Sequence, residues 1–122
     1  METRKDKVKA YKLTPKTAGM IIIRNTANGR FLLGSTLNMH GVLDRHRFML
    51  SLGSHHIRDM QADWKQYGEA AFTFDVLETI PPSDDPAHNP ELELEALEDM
   101  MLAEYGPIDA RWYNMSGRIR MA

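Results

Sequence analysis

Apolar residues fall first into two short unbroken runs, Met20–Ile23 and Phe31–Leu33, separated by the polar stretch 24–30. Runs this short on either side of an Asn28-Gly29 turn signal predict a β-hairpin. Because the runs do not alternate with polar residues, both faces of the strand pair should be partly covered. The spacing then becomes helical. Met39, Val42, Leu43, His46, Met49 and Leu50 share one side of a 3.6-residue wheel. They predict a helix capped by Thr36 or Asn38, running to about Leu52 and closed by Gly53. Ile57, Met60, Trp64 and Tyr67 predict a second helix from about His56 to Tyr67, stopped by Gly68. Alternation returns in "AFTFDVLETI", where Phe72, Phe74 and Val76 oppose Ala71, Thr73 and Asp75, predicting a third strand. "PPSDDPAHNP" holds four prolines in ten residues and predicts a loop. Pro90 opens a helix from about Glu91 to Tyr105. The remainder predicts loop with a short ordered piece around Trp112–Met115. The order of hairpin, two helices, strand and helix predicts an α/β fold with a small, mainly antiparallel sheet.

Two polar residues interrupt the apolar stripes. His46 sits on the core side of the first helix, one turn after Val42. Glu98 sits in the stripe of Leu94, Leu97, Met101, Leu102 and Tyr105 on the last helix. A carboxylate buried alone is costly, so a cation, a hydrogen-bond donor or a metal should lie beside it. Each residue also has a purely structural explanation. His46 can hydrogen-bond to backbone, and Glu98 can pair with Arg45 or sit at a wet helix edge. Together they point to a polar site between these helices and the hairpin.

Charge adds an asymmetry that the net value of −2 hides. Residues 1–60 carry 11 Lys/Arg and 4 Asp/Glu, and residues 61–122 carry 4 and 13. A basic half can face phosphates, or a compact fold can interleave the halves and neutralise them. The chain of 122 residues suits a single domain. It contains no cysteine, which excludes disulfides, thiolate metal sites and cysteine nucleophiles. No apolar run approaches the roughly 18 residues of a membrane span, and "METRKDKVKAYK" has no apolar core behind its charges. These features set a cytoplasmic location as the expectation.

Weaker signals accompany these. His55-His56 stands at a helix start, where adjacent side chains are expected to point apart, as surface residues rather than a metal pair. Arg45 and Arg47 flank His46 and can reach phosphates or simply line a solvated helix face. Gly34-Ser35-Thr36 offers N–H groups to an anion or an ordinary cap. No P-loop, dinucleotide fingerprint, H-E-x-x-H or G-x-S-x-G occurs.

"GMIIIRNTANGRFLLGSTLN" resembles the opening hairpin of the GIY-YIG nuclease superfamily. In that family G-I-Y, a strand, N-x-x-N-G-K and Y-I-G-S follow in order. "HRFMLSLGSHHIRDMQADWKQYGEAAFTFDVLETI" resembles the continuation, with a histidine-bearing helix, a G-x-H turn, L-Q…W…Y-G and F-x-F-x-V-L-E. "LEALEDMMLAEY" resembles the helix with the metal-binding glutamate, and "WYN" the closing Y-N. The resemblance covers about residues 15 to 115. It divides the chain into a basic arm over 1–14, a GIY-YIG-like domain over 15–115 and a tail over 116–122.

The resemblance implies a three-stranded antiparallel sheet flanked by helices, DNA as partner, and phosphodiester cleavage with one divalent cation, usually Mg²⁺. It gives Glu98 the metal, and His46, His55 and Asn114 catalytic roles. Gly19 and Gly34 match the motif glycines. The two motif tyrosines are Ile21 and Leu32, and the helix arginine is Val42. These three side chains move no protons and donate no hydrogen bonds. Arg45 lies one turn from Val42 and about 60° around the helix, which makes it a candidate replacement. The implied function is a DNA-binding GIY-YIG domain with nuclease chemistry weakened or lost. The alternatives are an atypical Mg-dependent endonuclease using Glu98, His46 and Arg45, and a protein-interaction module. Glu98 is expected close to His46, near Ile21 and Leu32.

Overall fold

The computed structural model describes residues 16–114 and 118–121, so the arm expected over 1–14 lies outside the described residues. Strand β1 spans Ala18–Asn25 and β2 spans Phe31–Thr36. Helices α1 (Met39–Leu52) and α2 (Arg58–Tyr67) follow. A short 3-10 turn, Glu69–Ala71, leads into β3 (Phe72–Ile80), and helix α3 spans Pro90–Tyr105. The sheet is antiparallel with order β2-β1-β3. Element order and sheet type are those predicted.

The central strand explains the unbroken apolar run. Ile21 and Ile23 pack with residues of α1 and α2, while Met20 and Ile22 pack with residues of α3. Both faces are therefore covered, and β1 alternates between two cores rather than between core and water. On β2, Leu32 joins the α1/α2 core and Leu33 the α3 core. On β3 the simple alternation fails. The register to β1 shifts between Met20 and Ile21. This bulge lets Leu77 and Ile80, three positions apart, both pack on the α3 side. Gly19 sits beside it, where a Cβ would meet the Glu78 carbonyl and the Met39 thioether.

Helix α1 starts as predicted, with Asn38 Oδ1 accepting from the Gly41 N–H, and ends at Gly53 with φ of 78°. Helix α2 starts two residues later than predicted, because the Ile57 N–H is held by the His55 ring instead of opening the helix. Tyr67 does not complete its stripe and is exposed. Helix α3 is capped by Asn89, which accepts from Glu91 and Leu92 N–H, and Pro90, Glu91 and Glu93 suit its first turn.

The C-terminal segment differs most from expectation. The resemblance puts residues after 115 outside the domain, yet Ile119 is buried and Arg118–Met121 runs along the outer edge of β2. Phe31 bonds to the backbone of Arg111 and Tyr113, and Ser35 to that of Ile119 and Met121. Between them, Leu33 has no backbone partner on that side among the described residues. The Asn114 side-chain amide takes its place, accepting the Leu33 N–H at 3.0 Å and donating to the Leu33 carbonyl at 2.6 Å. A side chain thus continues the ladder between the two backbone contacts, and this edge of β2 is covered.

Candidate functional site

Helix α1 brings His46 to the start of α2, where it meets His55. The two rings stack, and Nδ1 of His46 lies 2.7 Å from Nε2 of His55. The tautomers follow from the neighbours. Nδ1 of His55 accepts the Ile57 N–H at 3.0 Å and carries no proton. Nε2 of His55 is therefore the donor, and Nδ1 of His46 the acceptor. The remaining proton lies on Nε2 of His46, a buried atom without a hydrogen-bond partner among the described residues. Burial, then the positive charge of Arg45, then His56, pushes His46 down to about 4. Burial, then His46, then His56, pushes His55 down to about 4 as well. Both imidazoles are neutral near pH 7.

The surroundings of this pair depart from the sequence-based expectation. Instead of pointing apart as surface residues, His55 and His56 stack their rings at 4.8 Å, and His55 is buried. Gln61, which no motif singles out, accepts the His55 N–H and donates to the Leu50 carbonyl, tying the end of α1 to α2. A glutamine on the inner side of an amphipathic helix is the signal that could have marked it. Arg45 is exposed and makes no ion pair among the described residues.

Glu98 is elsewhere. It projects from α3, on the opposite face of the sheet from His46. Ser35 Oγ donates to its Oε2 at 2.7 Å, Arg120 Nε to the same oxygen at 2.9 Å, and Arg120 Nη2 to Oε1 at 3.0 Å. Burial pushes this carboxyl up, but the hydrogen bonds from Arg120 and Ser35 and the guanidinium charge outweigh it and hold it below its ordinary value. The predicted proximity of Glu98 to His46, and its pairing with Arg45, are both overturned. The alternating period of β2 is the reason: Leu32 and Ser35 point to opposite faces. Asn114 stands at a third place, as the amide that bridges the β2 edge. The five candidates thus separate into a histidine pair with Arg45 nearby, an ion-paired glutamate and a structural amide.

With Arg120 in place, a divalent cation does not fit at Glu98. Both Glu98 oxygens hold a guanidinium, which cancels the carboxylate charge. Among the described residues no group of three or more His, Asp or Glu side chains is arranged to hold a metal ion. The positions of the family's first tyrosine and helix arginine are apolar and mutually packed, with Ile21, Met39 and Val42 in one buried cluster that Met121 also touches. At the second motif glycine, Gly34, a Cβ would collide with the Met121 thioether. The motif glycines are therefore accounted for by packing.

A third polar group closes the hairpin end. Tyr113 Oη donates to Asp63 at 2.6 Å, and Asn25 Nδ2 donates to Tyr113 Oη at 3.2 Å. Asn28 also donates to Asp63, and Arg30 lies over the Tyr113 ring while pairing with Asp59. Burial and then the Asp63 hydrogen bond push the Tyr113 phenol up to about 12. The asparagines of the hairpin and the tyrosine of "WYN" thus serve one structural network.

No protein-family model and no curated protein matches the chain. Solved structures do. The catalytic domain of intron endonuclease I-TevI, in a point-mutant form, superposes with a TM-score of 0.63 at 22% identity, over 84% of this chain and 96% of that one. A second structure, the catalytic domain of homing endonuclease I-TevI, superposes with a TM-score of 0.55 at 22% identity, over 86% and 98%. At this identity the likeness is one of fold. The architecture that the motifs implied is the one observed, and the chain has the fold of the GIY-YIG nuclease superfamily.

Proposed function

We propose that this chain is a DNA-binding domain on a nuclease fold that does not cleave in the family's way. The packed cluster of Ile21, Met39 and Val42 carries the second half of this reading, since it leaves no proton-transfer group where the resemblance puts a tyrosine and an arginine. The distribution of charge supports the first half. Arg45, Arg47, Arg58 and Lys65 belong to α1 and α2, are exposed and have no ion-pair partner among the described residues. Helix α3 carries six acidic residues and no Lys or Arg. Phosphates are drawn to the α1/α2 side and repelled from α3. The I-TevI catalytic domains are endonuclease domains, which fits DNA as the ligand class.

The test is fluorescence anisotropy on single- and double-stranded DNA over a range of salt, beside a cleavage assay in Mg²⁺ or Mn²⁺. Binding that weakens with salt and with Arg45→Glu or Arg58→Glu, without cleavage, supports the proposal. Cleavage abolished by Glu98→Ala overturns it in favour of an atypical metal-dependent endonuclease. Absence of binding at low salt favours a protein-interaction module, a reading that the outward Leu92 and Met100 on acidic α3 also suit.

A further inference from the structure

We propose that Arg120 is the resident cation of Glu98: the guanidinium stands where a divalent metal would otherwise be held, and the C-terminal segment bridged to the β2 edge delivers it there. The contact is two-pronged, with one nitrogen on each carboxylate oxygen at 2.9 and 3.0 Å. A forked guanidinium matches a carboxylate in this geometry better than an ammonium can. Ser35 Oγ completes the shell of Oε2 at 2.7 Å.

The backbone sets the position of Arg120. Ser35 donates its N–H to the Ile119 carbonyl at 3.0 Å and accepts the Met121 N–H at 2.7 Å. The residue whose hydroxyl holds Glu98 therefore also grips both neighbours of Arg120. A one-residue slip would turn Arg120 away from α3 and send Met121 away from Gly34. Arg120 Nη2 also reaches the Glu91 carbonyl at 3.4 Å, and the charges of Glu91 and Glu95 add to its attraction. Helix α3 supplies no cation of its own, so the C-terminal segment provides the compensating charge.

A cation tethered in register competes with dissolved metal at a high effective concentration. Glu98-dependent metal affinity is therefore masked in the intact chain and emerges when the guanidinium is removed. This inference does not rest on DNA binding. DNA affinity can be absent while Arg120 still occupies Glu98, and the two experiments read different quantities.

The test is Mn²⁺ titration followed by electron paramagnetic resonance, with thermal unfolding in EDTA and in Mn²⁺. Four proteins are compared: wild type, Glu98→Gln, Arg120→Ala and the Glu98→Gln/Arg120→Ala double variant. Wild type and Glu98→Gln should bind Mn²⁺ alike. Arg120→Ala should melt lower in EDTA, bind Mn²⁺ about tenfold or more tighter, and recover part of its midpoint in Mn²⁺. The double variant should show neither gain. A wild-type Mn²⁺ signal that Glu98→Gln removes overturns the proposal, as does a folded Arg120→Ala with no gain in affinity. If Arg120→Ala does not fold, the wild-type and Glu98→Gln comparison still decides: equal binding upholds the proposal and unequal binding overturns it.

Discussion

Nε2 of His55 donates to Nδ1 of His46 across 2.7 Å, and the backbone N–H of Ile57, held by His55 Nδ1, fixes the direction of that bond. The pair accepts one donor at one end and, among the described residues, leaves one N–H unpaired at the other. Such a chain works only when both rings are neutral. A proton on either ring would face a second donor or a second buried charge.

This gives a pH dependence. Both rings sit at about 4 in the folded chain, against an ordinary value of 6.5. Above 6.5 they are neutral in both states, so the stabilisation is fully present. As pH falls below 6.5 the unfolded chain takes up protons that the folded chain refuses, and stability falls until about 4. The slope is about 1.4 kcal/mol per pH unit for each titrating ring. Urea unfolding between pH 8 and 4 should give a flat midpoint above about 6.5 and a steady decline below it. The His46→Gln/His55→Gln variant, which cannot titrate there, should lose most of that slope.

Asn114 is a ladder element. Replacing it with Ala removes both bonds to Leu33 and leaves a peptide unpaired at the covered edge. The expected loss is about 2–3 kcal/mol, read by urea unfolding. Hydrogen exchange at the Leu33 N–H should speed up more than at the Ile22 N–H in the central strand.

Gly34 is required by Met121 rather than by its backbone angles. Gly34→Ala should cost about 1–3 kcal/mol through overpacking. Adding Met121→Ala should recover part of the loss, because the methyl then enters space the thioether has left. If the two effects simply add, the contact is not the cause.

Tyr113→Phe removes the hydroxyl that donates to Asp63 and accepts from Asn25. Asn25 is fully buried and loses its only amide acceptor among the described residues. The expected destabilisation is about 1–3 kcal/mol. The phenol of the wild type, pushed up to about 12, should remain un-ionised in a spectrophotometric titration well past pH 10, where an exposed tyrosine ionises.

The order of elements, the cap at Asn38, the stop at Gly53, the proline loop and the start at Pro90 are legible in the chain. Each rests on neighbours within a few residues, where steric and hydrogen-bonding preferences act directly. The motif glycines, Ile21, Leu32 and Val42 are legible as well, because their spacing carries the resemblance to a known fold. The two-sided burial of β1 is also visible, as a run without alternation.

Which polar residues meet is a matter of three-dimensional packing. His46 and Glu98 both lie on apolar stripes, which suggests one site, but a stripe records burial and not the face of the sheet against which it is buried. The parity of β2 separates them, sending Leu32 to α1 and α2 and Ser35 to α3. Arg120, Asn114 and Met121 lie in a segment with no period of its own. Its contacts with β2 are with residues some 80 positions away in the chain, and only the paired edge of β2 selects its register and so brings Arg120 to Glu98. The scaffold and the apolar residues at Ile21 and Leu32 are thus written along the chain, where near neighbours and motif spacing act. Long-range pairing is what gives the glutamate an arginine to hold and the asparagine a strand.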